Sequence, residues 1–192
     1  MMRIAILGVC SLTLCGLAGS ATSGQARVAA KATPAQQAAL FDRVKTLQGT
    51  WVGKDDKGQE HVASTFTVSS AGSIVREVML PGSDHEMTNV YHMDGPTLVM
   101  THYCAMGNQP RMRASIQPPS REIIDPLAAP GGYPYVIDLK FDSVTNLHDS
   151  GEPYMGGMKL VFVDADHVKT DWTSYQDGKA QPHTTFEMWR KK

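Results

Sequence analysis

From Gly49 onward the chain runs in short stretches where apolar and polar residues alternate, and each stretch stops at a turn signal. Alternation with period two places successive side chains on opposite faces of a strand. Residues 61–69 set Val62, Phe66 and Val68 on one face. Residues 73–80 stop at Pro81 and Gly82, and residues 87–93 stop at Asp94 and Gly95, a pair that favours a tight turn. Further runs follow at 97–104, 111–117, 135–142, 158–163, 167–175 and 184–190, and Tyr135, Ile137, Leu139 and Phe141 share a face of the third of these. Strands and helices do not alternate, which argues against a parallel α/β sheet. The spacing predicts an all-β fold, an antiparallel meander of about 9–10 strands, and closing it into a β-barrel removes exposed edges.

One helix precedes the strands. Thr33 is placed to cap it, Pro34 suits its first position, and Gln36 completes a capping box. Leu40, Val44 and Leu47 recur at helical spacing with Phe41 beside them, and Gly49 is expected to end the helix. Two stretches read as loops. Residues 118–134 contain five prolines around a strand fragment at 121–124, and residues 146–157 are polar and contain glycine.

The first 26 residues read as a secretory signal. Arg3 is followed by an uncharged apolar run to Ala18 and then by small residues, with cleavage expected after Ala21, Ser23 or Ala26. Residues 27–33 read as a flexible leader and 34–192 as a single domain. The chain is therefore expected to be exported, periplasmic or secreted, with no transmembrane segment in the mature part. A lipid anchor at Cys10 or Cys15 is disfavoured, because Val9 and Leu14 stand where a small residue is wanted.

Two of the three cysteines leave with the signal, so Cys104 has no intramolecular partner. A lone thiol in an oxidising compartment is expected to be buried or liganded. The mature part carries 17 Lys and Arg against 19 Asp and Glu, a net charge of −2. That balance argues against nucleic acid as a partner, since phosphate binding needs clustered positive charge.

A helix, then Gly49 and Trp51 opening the first strand, then hairpins, then Arg190 at the end of the last strand: this order resembles the calycin superfamily of lipocalins, fatty-acid-binding proteins and their secreted bacterial relatives. The resemblance implies a barrel that encloses a small hydrophobic or amphipathic molecule, with Arg190 packed over Trp51. Nitrobindin-like haem barrels also open Gly-x-Trp-x-Gly, as in Gly49 to Gly53. Their further glycines are replaced here by Lys54, Asp55 and Asp56.

The densest polar stretch runs from 101 to 112. Period two puts Leu98, Met100, His102 and Cys104 on one strand face, with His102 and Cys104 about 6–7 Å apart. If that face points inward, these two side chains are candidate metal ligands, to which His92 or Met100 would add a third. The plainer reading is a hydrogen-bonded interior histidine beside a small thiol. Gly107 and Asn108 suit a hairpin turn. The alternative places the Asn108 and Gln109 amides at a barrel mouth, with Arg111 or Arg113 turned inward toward a ligand carboxylate. The plainer reading leaves both arginines in solvent. The many methionines suit either core filling or an adaptable cavity wall. A ligand-binding module is expected, with its site at Met100, His102, Cys104, Asn108, Gln109, Arg111 and Arg113, and with neither catalysis nor a cofactor. The alternative is a metal- or haem-linked barrel, possibly enzymatic, centred on His102 and Cys104.

Overall fold

The structure, a computed structural model, describes residues 26–115 and 132–192. The signal segment, all but Ala26, and the strand fragment at 121–124 lie outside the described residues.

Among the described residues the strands are β1 Gly49–Lys54, β2 Glu60–Ser69, β3 Ile74–Met79, β4 Met87–Asp94, β5 Thr97–Tyr103, β6 Gln109–Ser115, β7 Tyr135–Thr145, β8 Tyr154–Phe162, β9 His167–Gln176, β10 Lys179–Ala180 and β11 Thr184–Arg190. Each strand from β1 to β9 pairs antiparallel with the next. β9 then pairs with β11, and β11 returns to β1. Ten strands thus close an antiparallel barrel, and β10 is a two-residue extension on β9. This is the all-β meander barrel that the alternation predicts.

The helix plugs one end. Its capping box forms: Thr33 Oγ1 accepts from the Gln36 amide at 3.2 Å, and Gln36 Oε1 accepts from the Thr33 amide at 2.9 Å. Pro34–Gln37 and Arg43–Lys45 are α-helical turns joined by a π-helical segment, Ala38–Asp42. The helix stops at Lys45, short of Gly49, which instead opens β1 with φ +126°. It buries Leu40, Phe41 and Val44 against the barrel core. Arg43 is buried with it, over the rings of Tyr133, Tyr135 and Phe162, and donates to the Gly132 carbonyl at 3.2 Å.

The stretch at 146–157 is less of a loop than its composition suggests. β7 runs on to Thr145 and β8 starts at Tyr154. The alternation fails there because the β8–β9 register shifts between Met155 and Gly157, where Gly156 is the extra residue of a bulge. The Tyr175 ring occupies the space where a side chain at Gly156 would stand.

The seam between β1 and β11 is short. Only Trp51↔Arg190 and Val52↔Trp189 are in register, with a further bond from the Lys191 amide to the Thr50 carbonyl at 2.9 Å. Arg190 reinforces it. Its guanidinium carbon stands 4.5 Å from the centre of the fully buried Trp51 ring. The same group donates to the carbonyls of Gln48 at 3.0 Å and Thr46 at 2.8 Å, and to Asp166 Oδ1 at 3.0 Å. The Trp51 indole N–H donates to the Leu47 carbonyl at 2.7 Å. One arginine thus joins the first strand, the helix exit and the β8–β9 turn. Replacing Arg190 by Ala removes the stacking and several charge-assisted bonds, and urea denaturation is expected to show a loss of about 2–4 kcal/mol. Arg190→Lys is expected to recover less than half of that, since a lysine cannot fork to two carbonyls; full recovery would contradict this account of the seam.

Candidate functional site

The interior is apolar toward the helix. Val75, Tyr91, Leu98, Met100, Met112, Leu139 and Leu160 are all fully buried there. One rung further from the helix the inner face turns polar. Phe66 of β2 pairs with Glu77 of β3, Glu77 with Asn89 of β4, and Asn89 with His102 of β5. Paired residues on neighbouring strands share a face, so these side chains stand side by side inside the barrel. Glu77, Asn89 and His102 are at most 1 % exposed.

Hydrogen bonds link them into one chain. Ser64 Oγ donates to Glu77 Oε1 at 2.7 Å, Asn89 Nδ2 to Glu77 Oε2 at 2.7 Å, and Tyr91 OH to the same oxygen at 2.8 Å. Asn89 Nδ2 also lies 3.3 Å from Met79 Sδ. A carboxylate only accepts, so it fixes the Asn89 amide with nitrogen toward Glu77 and Oδ1 toward His102. His102 Nδ1 lies 2.7 Å from that oxygen. An amide oxygen cannot donate, so Nδ1 carries the proton and Nε2 carries a lone pair. Nε2 is buried and has no hydrogen-bond partner among the described residues. Across the barrel the His102 ring lies 5.1 Å from that of Trp172, whose indole N–H donates to Thr170 Oγ1 at 3.1 Å.

Burial sets the charge states. It pushes Glu77 up, against the pull of its bonds from Asn89, Ser64 and Tyr91. It also pushes Tyr91 well up, helped by the neighbouring Glu77 charge. For His102 burial alone acts, lowering its pKa from 6.5 to about 4 and leaving it neutral over the physiological range.

A cavity of about 10 Å³ lies beside Glu77, bounded by Ala63, Ser64, Met79, Leu80, Thr170, Phe186 and Met188. That is room for about one water molecule. The interior is therefore largely filled, with methionines taking the core-filling part.

The site residues expected from the sequence divide among four places. Met100 and His102 face the interior, as the inward reading of β5 requires. Cys104 does not join them. β5 ends at Tyr103, and Cys104 starts the turn: its amide donates to the Asn108 carbonyl at 3.1 Å, and its own carbonyl accepts from Gly107 at 2.9 Å. It is half-buried. Asn108 and Gln109 are occupied by the turn. Asn108 Nδ2 donates to the Pro153 carbonyl at 3.0 Å and Gln109 Nε2 to the Gly107 carbonyl at 2.6 Å.

Arg111 and Arg113 need a correction. They alternate with the inward Met112 and Ala114 and lie on the outer face, so neither reaches a ligand inside. Arg113 Nη1 and Nε are each 2.9 Å from Asp94 and Asp142, and Arg111 Nε is 3.3 Å from Asp142. The hydrogen bond from Arg113 holds the Asp94 carboxyl below the usual carboxylate range.

A metal set does not assemble at β5. His102 offers one free nitrogen, Cys104 sits outside the strand, and His92 falls in the other alternation class, opposite Val99. Among the described residues no three His, Cys, Asp or Glu side chains gather. A haem does not fit the space beside Glu77, which is about 10 Å³. Comparison with protein-family models and with curated protein sequences returns no match.

Sequence reasoning missed Glu77, Asn89, Tyr91 and Ser64. The signal was present. In three consecutive strands the apolar face of the alternation is broken once by a polar residue: Glu77 between Val75 and Met79, Asn89 between Met87 and Tyr91, His102 after Met100.

The lowered His102 value has a consequence for stability. The unfolded chain takes up this proton near pH 6.5 and the folded one near pH 4, so acidification through that window favours unfolding. Glu77 works the other way, since a raised carboxyl favours the folded state as pH falls. Comparing His102→Gln with the parent isolates the first effect. Between pH 7 and pH 4.5 the parent is expected to lose about 2–3 kcal/mol more than the variant in chemical denaturation. Parallel pH profiles would show that His102 is not held neutral by burial.

Proposed function

We propose that the protein is an exported, calycin-like binding module for a small amphipathic molecule. The guest enters at the barrel end away from the helix and sets its polar group on the Glu77–Asn89–His102 rung. The observation that carries this reading is His102 Nε2, an acceptor buried without a partner among the described residues. Leaving such an atom unpaired costs about 1–3 kcal/mol, and a guest that donates to it recovers this. The carboxylate, amide and imidazole lie together inside an otherwise apolar barrel, which is what a site needs to orient one polar group. The closed barrel, the helix and the Trp51–Arg190 contact support the calycin-like part of the reading.

Admission requires side chains to move, because the cavity beside Glu77 holds about one water. Met79, Leu80, Phe186 and Met188 bound it. A methionine turns about three bonds and repacks readily, so Met79 and Met188 are the adaptable part of this wall.

A second reading rests on the same filling. A packed barrel acts through its outside, and Tyr103 and Met106, at 49 % and 61 % exposure, present apolar surface beside the β5–β6 turn. One experiment decides between the two. Titration with the fluorescent hydrocarbon 1,6-diphenylhexatriene, with mass spectrometry of solvent extracts of the purified protein, is expected to show saturable binding and a co-purifying molecule. Neither saturation nor a co-purifying molecule would abandon the interior site in favour of the surface.

A further inference from the structure

Resting on the interior binding site above, we infer that its guest is a neutral amphiphile bearing a hydroxyl group, which donates to His102 Nε2, and not a carboxylate.

The chemistry of the rung narrows the guest's polar end. Asn89 Oδ1 commits His102 Nδ1 as donor, so the opposite nitrogen presents only a lone pair. A carboxylate brings lone pairs of its own and no proton to share. It would also bring a full negative charge into the buried interior, which is costly without a paired cation. Among the described residues no cation is placed to pair with that charge. Among the described residues the only buried lysine or arginine is Arg43, which lies under the helix against Tyr133, Tyr135 and Phe162 and donates to Gly132. Arg111 and Arg113 are on the outer face, tied to Asp94 and Asp142. Arg190 is held at the seam by Asp166 and the carbonyls of Thr46 and Gln48.

An ammonium group fits less well than a hydroxyl. It would bury a full charge, which is costly unless a charged partner meets it with free lone pairs. Glu77 already accepts from Ser64, Asn89 and Tyr91, and burial disfavours its charged form. A hydroxyl carries one proton for Nε2 and no charge to desolvate. It can also accept, so its oxygen tolerates a second donor beside it.

The test is displacement of bound 1,6-diphenylhexatriene from the full chain by four ten-carbon compounds at pH 7: 1-decanol, decyl methyl ether, decanoate and decylammonium. The ether keeps the oxygen and removes the donor. Decanol is expected to displace the reporter at about tenfold lower concentration than the other three, the value of one hydrogen bond to an otherwise unpaired acceptor. In His102→Phe, which keeps a ring against Trp172, decanol and the ether are expected to agree within about twofold. A decanoate or decylammonium affinity equal to that of decanol overturns the inference, as does survival of the preference in His102→Phe. A readout on the unaltered protein covers failure of that variant to fold. The 15N resonance of His102 Nε2 is expected to move upfield on adding decanol and to stay in place with the ether; no movement overturns the inference. If the reporter binds and no decyl compound displaces it, this inference fails while the interior site stands. If the reporter does not bind, both fail.

Discussion

A barrel of this kind is only as closed as its weakest seam, and here that seam is β1 against β11. Two residue pairs in register hold it, where the other junctions have more. So few ladder bonds leave little to resist fraying at an edge. Arg190 compensates by acting at right angles to the ladder. It stacks on Trp51 and draws in carbonyls from the helix exit, so opening the seam would expose a buried indole and strip a guanidinium of its acceptors. The helix is held in the same knot through the Trp51 indole and the Leu47 carbonyl. Barrel closure, helix docking and core burial at that end are therefore one cooperative event.

Closure has a second effect at the opposite end. With the ring complete, the inner face sees almost no water, and polar groups there must satisfy one another. Ser64, Glu77, Asn89 and Tyr91 achieve this nearly completely, and the chain of bonds ends at one atom. A fully satisfied network would read as a structural brace. A network that ends in a lone pair is asymmetric, and the direction of that asymmetry carries the functional reading.

Much of this was legible in the residues. Alternation and turn pairs specify the meander, and Thr33, Pro34 and Gln36 specify the helix start, because these signals are local. Helix length was less legible. Gly49 looked like a helix terminus, yet its left-handed φ serves the entry into β1. The β8 start was hidden by a bulge, since one extra residue at Gly156 destroys the period that would have revealed it. The site was half legible. Met100 and His102 follow from period two, but Cys104 lies one residue past the last paired position, where alternation no longer predicts direction. Arg111 and Arg113 drew attention as ligand-binding groups. Their partners, Asp94 and Asp142, lie in other strands and could be found only from the sheet register. The missed residues, Glu77 and Asn89, are ordinary one at a time and informative only when three strands are laid side by side.

The Glu77–Asn89–His102 rung also works as a key for strand alignment. Sliding β4 by one residue against its neighbours would turn Asn89 to the outer face and bring Val90 or Thr88 in, because strand faces alternate. Glu77 would then be a buried carboxyl without its amide donor, and His102 would lose its hydrogen bond to Asn89. A slide of two residues would keep the apolar face inward, and there one methionine or valine resembles another in contact energy. The three polar side chains do not, and they hold β3, β4 and β5 to a single pairing.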